Sequence, residues 1–153
     1  MYNYPVPDAM DMEESSHSDA LVRGKNLLLA TDGKPHSDKA IRYAIELAKL
    51  TSSKLFIIYV VSPKNEAERK DLTKEGMDRL QALKERAAES GVETSTLLEG
   101  GSPYQTILTA AERIKAGAII VGTSGKSSLD RVLIGSVSEY VVRNSGFTVI
   151  VVK

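Results

Sequence analysis

The stretch Ala116-Gly117-Ala118-Ile119-Ile120-Val121-Gly122-Thr123-Ser124-Gly125, followed after nine residues by Gly135-Ser136-Val137-Ser138-Glu139, decides the fold of this chain. Residues 116–121 make an apolar run of strand length that ends in β-branched side chains. Ser136 with Glu139 three positions later matches a capping box. The whole therefore reads as strand, glycine-bearing loop and helix N-terminus. Such a junction offers free backbone N–H groups and the positive end of a helix dipole, which is what a phosphate requires. Glycine lacks a Cβ, so it lets the loop curl tightly and lets backbone approach a ligand. The stretch reads as an anion cradle; glycines that merely make turns are the alternative.

Two common labels for such a loop fail. Gly125-Lys126-Ser127 imitates the end of a P-loop, but that pattern needs glycine at 120, where Ile120 stands. The dinucleotide fingerprint G-x-G-x-x-G lacks its third glycine.

Upstream, the same alternation of strand and helix repeats. Leu27-Leu28-Leu29-Ala30-Thr31 is a short buried strand running into Asp32-Gly33, and residues 37–50 carry Ile41, Ala44, Ile45 and Ala48 on one helical face. Residues 54–61 are a nearly continuous apolar strand ended by Pro63. A long helix carrying Met77, Leu80, Leu83 and Ala87 closes at Gly91, and residues 92–98 form a third strand. Ser102-Pro103-Tyr104-Gln105 is a second capping box, with proline at the first helical position and Ile107, Ala111 and Ile114 facing inward. After the cradle come a helix from 137 to about 144, ended by Gly146, and a last strand over 147–152. Strands apolar on both faces, separated by amphipathic helices, predict a doubly wound α/β fold: a five-stranded parallel sheet, order 3-2-1-4-5, with helices on both faces. In such sheets ligands bind beyond the carboxyl ends of strands, where the strand order reverses. That brings Asp32, after the first strand, beside Gly122, after the fourth.

The 153 residues fit one domain. Lysine plus arginine and aspartate plus glutamate balance at 20 each, so no overall field draws the chain to nucleic acid or acidic lipid. Residues 1–24 hold Asp8, Asp11, Glu13, Glu14 and Asp19 against Arg23, a net of −4, which leaves the remainder at +4. They show no periodicity and read as a flexible acidic tail before a domain at 25–153. With no cysteine, disulfides and thiolate chemistry are excluded; His17 and His36 alone make a poor ligand set for zinc, and both histidines read as surface residues. No run approaches the ~20 apolar residues of a membrane span, and the expected setting is the cytoplasm.

The residues together resemble the universal stress protein family, in its ATP-binding branch. The matching elements are Leu29-Ala30-Thr31-Asp32-Gly33, Tyr59-Val60-Val61, and the run from Val121-Gly122 to Glu139 with its G-x-x-G, nine residues, G-[ST] spacing. The resemblance covers about residues 25–153. It implies ATP as ligand, with any Mg2+ held by the phosphates. Asp32 would bond the ribose hydroxyls. Ala30, Thr31 and Val60 would line the adenine, and Gly122 would lie against the ribose. Gly125, Gly135, Ser136, Val137 and Ser138 would serve the phosphates through N–H or hydroxyl groups. Glu139 would fold back onto the Ser136 N–H, as its capping box requires. Lys126 and Arg131 read as solvated loop residues, with added charge near the phosphates as the alternative, and Tyr104 reads as packing.

One departure from the family's pattern is Phe147-Thr148, where many members carry a proline before the last strand. The resemblance further implies a homodimer through residues 147–152. The implied role is a nucleotide-dependent sensor or regulator in a stress response, with no catalytic residues and at most weak ATP hydrolysis. A slow hydrolase and a nucleotide-free interaction module of the same fold are the alternatives.

Overall fold

A computed structural model describes residues 24–123 and 135–153. The tail before Gly24 lies outside the described residues, as do Gly125, Lys126 and Arg131. Five strands, β1 (Asn26–Ala30), β2 (Lys54–Val61), β3 (Thr94–Gly100), β4 (Ala116–Gly122) and β5 (Thr148–Val152), pair in parallel in the order β3-β2-β1-β4-β5. Four helices connect them in turn: α1 (Asp38–Thr51), α2 (Glu66–Glu89), α3 (Pro103–Arg113) and α4 (Ser136–Asn144). This is the doubly wound order expected from the sequence.

Side chains alternate across a strand, so a central strand must be apolar on both faces to be covered on both. In β1, Leu27 and Leu29 join one core with Ala44 and Ile45 of α1 and Leu80 and Leu83 of α2. Leu28 joins the opposite core with Ile107 and Ala111 of α3 and Val141 of α4. All three leucines are fully buried.

α2 buries Gly76, Leu80, Leu83 and Ala87. Met77 points outward at 59% exposure, and Gly76 takes the inward place, because a Cβ there would come within 2.8 Å of Leu98 and 2.9 Å of Tyr59. Gly91, at φ +77°, closes the helix as expected: its N–H donates to the Ala88 carbonyl while the Val92 N–H donates to that of Ala87. Val92 is thus spent on the helix end, and β3 starts only at Thr94. At α3, Ser102 is the N-cap and Pro103 opens the helix, but the Ser102 side chain makes no capping bond. β5 starts at Thr148 and pairs only with β4 among the described strands, which leaves it at the sheet edge. No helix among the described residues is long and apolar enough to cross a membrane.

Candidate nucleotide site

The chain leaves β1 toward β2 on one side of the sheet, while β4 lies on the other side, so the strand order reverses between β1 and β4. At their carboxyl ends lies a cavity of about 540 Å3. Nine of the expected residues line it: Ala30, Thr31, Asp32, Val60, Gly122, Gly135, Ser136, Val137 and Ser138. Gly125, the tenth, lies outside the described residues. The cavity also takes in Ile58, Val121, Pro103 and Ile107, an apolar wall that sequence reasoning had counted as strand core or helix packing. Lys34, His36, Ser37 and Thr123 complete it.

The loop after β1 is braced from within. The Gly33 N–H donates to Thr31 Oγ1 at 3.0 Å, that hydroxyl donates to Ser37 Oγ at 3.1 Å, and Ser37 donates to the Lys34 carbonyl at 2.6 Å. Ser37 is buried, so this hydroxyl chain is sheltered. From α2, Arg79 Nη1 donates to the Asp32 carbonyl at 2.5 Å while the arginine stem lies over Gly33. Gly33 has φ +68°, and a Cβ there would sit 2.8 Å from Arg79 Cδ, so both backbone and packing call for glycine. Asp32 is held outside this brace, its Oδ1 accepting from the Lys34 N–H and its Oδ2 facing His36. His36 is a surface residue, as expected from the sequence, and its Nε2 lies 3.2 Å from Asp32 Oδ2; its spacing of four from Asp32 was the available signal for that contact.

Across the cavity, α4 starts differently from expectation. Gly135 is the N-cap, and the Glu139 N–H donates to its carbonyl at 2.9 Å. Ser136 is the first helical residue and accepts a 3.4 Å contact from the Tyr104 hydroxyl. The capping box is not formed, because Glu139 pairs instead with Arg143 one turn on, at 3.0 Å. That carboxylate therefore does not fold back over the helix start. The N–H groups of Ser136, Val137 and Ser138 precede the first intrahelical bond and lie at the cavity wall. Gly122 faces the cavity with backbone alone, since a Cβ would extend toward α1 and meet Ala40 at 3.4 Å.

The chemistry of this donor set suits a nucleotide: an apolar slot, one carboxylate and a row of helix N–H groups. Among the described residues no three His, Cys, Asp or Glu side chains gather to hold a metal ion.

The family model described as Universal stress protein family matches residues 24–153. A universal stress protein of Methanocaldococcus jannaschii is 36% identical over 139 residues, spanning 84% of this chain and 82% of that protein. One from Bacillus subtilis is 34% identical over 144 residues, spanning 83% and 97%. The solved structure of a universal stress protein in complex with cAMP superposes with a TM-score of 0.68 at 25% identity, covering 85% of this chain and 97% of that one.

Proposed function

The chain belongs to the universal stress protein family, and from that premise we propose that it binds ATP in this cavity. In that reading it acts in the cytoplasm as a homodimeric, nucleotide-dependent regulator of a stress response. The carrying observation is that one cavity joins an apolar slot, the Asp32 carboxylate and the start of α4. The cAMP bound by the structural relative supports the nucleotide class.

Adenine fits between Ala30, Thr31 and Val60 on the strand ends and Ile107 of α3. The ribose meets Asp32 and the bare backbone of Gly122. The phosphates take the N–H groups of Ser136, Val137 and Ser138 beside Gly135, with Gly125 as a further donor in the same reading, and they hold any Mg2+ themselves. A helix N-terminus supplies about 0.3–1 kcal/mol to an exposed anion and ~2 when sheltered. Micromolar affinity needs about 8 kcal/mol. Base burial and several backbone hydrogen bonds must supply the rest, so the strand-end slot matters as much as the glycines.

Asp32 is the only carboxylate among the described cavity residues, and in this reading it is committed to the ribose. Hydrolysis wants a group that orients water at the γ-phosphate, so binding with at most slow turnover is the reading. The test is to denature the purified protein, identify released nucleotide by mass spectrometry, and titrate the stripped protein with ATP by calorimetry. Released adenine nucleotide and a saturating heat support the proposal. Neither signal would leave the nucleotide-free interaction module. Single-turnover assay with labelled ATP separates binder from hydrolase.

A further inference from the structure

His36 stands four residues after Asp32, on the 3-10 turn of residues 35–37, with its Nε2 3.2 Å from Asp32 Oδ2. The Lys34 N–H donates to the other oxygen, Oδ1, at 2.9 Å. We infer that His36 is a positioning residue: with the Lys34 N–H it presents the Asp32 carboxylate to a vicinal diol, so that the site prefers ribonucleotides to 2′-deoxyribonucleotides. This inference rests on the nucleotide-binding reading above.

Each carboxylate oxygen offers two acceptor lone pairs. Here the Lys34 N–H occupies one on Oδ1 and the His36 ring stands beside Oδ2, which leaves acceptor capacity on both oxygens for two neighbouring hydroxyls. The rest of Asp32 is already fixed, because Arg79 grips its carbonyl and turns its other nitrogen to Glu75. What remains is rotation of the carboxylate itself, which the Lys34 N–H restrains at Oδ1 and the His36 side chain restrains at Oδ2. The Lys34 ammonium is the other charged group of this loop at the cavity. The His36 and Asp32 side chains are 38% and 44% exposed, so their pairing adds little to folding. Its effect falls on the ligand. Without His36 only the Lys34 N–H restrains the carboxylate's last torsion, and a second hydroxyl bond must first offset the further ordering of that group.

The experiment is calorimetric titration of the full chain with ATP and with 2′-deoxyATP, in the wild type, His36→Ala and His36→Gln. A hydrogen bond to a charged acceptor makes the wild type prefer ATP by roughly tenfold. The preference falls to about twofold in His36→Ala at an unchanged melting temperature. His36→Gln, which keeps an N–H at the end of its side chain, restores most of it. An alanine variant that keeps the wild-type preference, or weakens both ligands equally, overturns the role of His36 while leaving nucleotide binding in place. A wild type that binds neither ligand overturns both.

Discussion

The hydroxyl of Ser138 donates a 2.5 Å hydrogen bond to the carbonyl oxygen of Gly122, joining the first turn of α4 to the last residue of β4. Ser138 is 5% exposed, so the bond is sheltered from water. It fixes the height of the α4 N–H groups relative to the strand end. Ser138→Ala leaves that carbonyl without its partner and costs about 1–2 kcal/mol, which lowers the melting temperature by about 3–6 °C. Thermal unfolding followed by circular dichroism measures this. An unchanged melting temperature would remove the bond from the account of how the site is held.

Gly135→Val places a branched side chain where the phosphates approach. The backbone at Gly135 has φ −58° and ψ 156°, which valine adopts without strain. The fold therefore survives, and ATP affinity falls by at least tenfold, on the order of 1.4 kcal/mol or more. Calorimetry paired with a native circular-dichroism spectrum checks it; wild-type affinity in the variant would count against the phosphate position.

Asp38 ties α1 to α2. Arg86 of α2 donates to its Oδ1 at 2.7 Å, and Arg42 reaches its Oδ2 at 2.9 Å. Chiefly through the hydrogen bond from Arg86, these cations hold its pKa below the ordinary 3.8, against an opposing effect of burial. A depressed carboxylate stabilises the fold above its unfolded pKa and loses that contribution as pH falls through the folded value. Asp38→Asn is thus less stable than wild type near neutral pH, and the gap closes as the pH drops below 3.8. Urea midpoints measured across that range test the sign; a gap that persists in acid would contradict it.

The β5 edge carries Thr148-Val149-Ile150-Val151-Val152, a strong β-former with no partner on its outer side among the described strands. Exposed edges of this kind pair with another copy unless blocked. Sedimentation should give a dimer at tens of micromolar. The Val152 carbonyl accepts from the Thr123 N–H, so the alternating Val151 turns its own N–H outward. Val151→Pro removes that donor and yields a folded monomer. A wild-type monomer at the same concentration would end the proposal.

The sheet was legible because Leu27-Leu28-Leu29 and Ile119-Ile120-Val121 are apolar at every position, which only a strand covered on both faces tolerates. The cavity was legible because strand ends and a helix start are fixed by that sheet. What escaped was the choice among nearby hydrogen-bond partners. Glu139 could return to the helix start or go to Arg143, and spacing alone does not decide between them. The outward turn of Met77 has a related reason: periodicity rewards a large apolar residue, whereas at the inward place, Gly76, Tyr59 and Leu98 leave no room for a side chain. The contact of His36 with Asp32 was missed because a lone histidine carries no sign of its neighbour until the turn brings Asp32 to it.

β1 lies at the middle of the sheet, yet it comes first in the chain among the five described strands. Leu28 pairs with Phe56 on one flank and with Ile119 on the other. At ribosomal rates of about 5–20 residues per second, its second flank waits roughly 5–18 s for β4 to emerge. Until then the apolar half-sheet of β1, β2 and β3 has an open seam where β4 will sit.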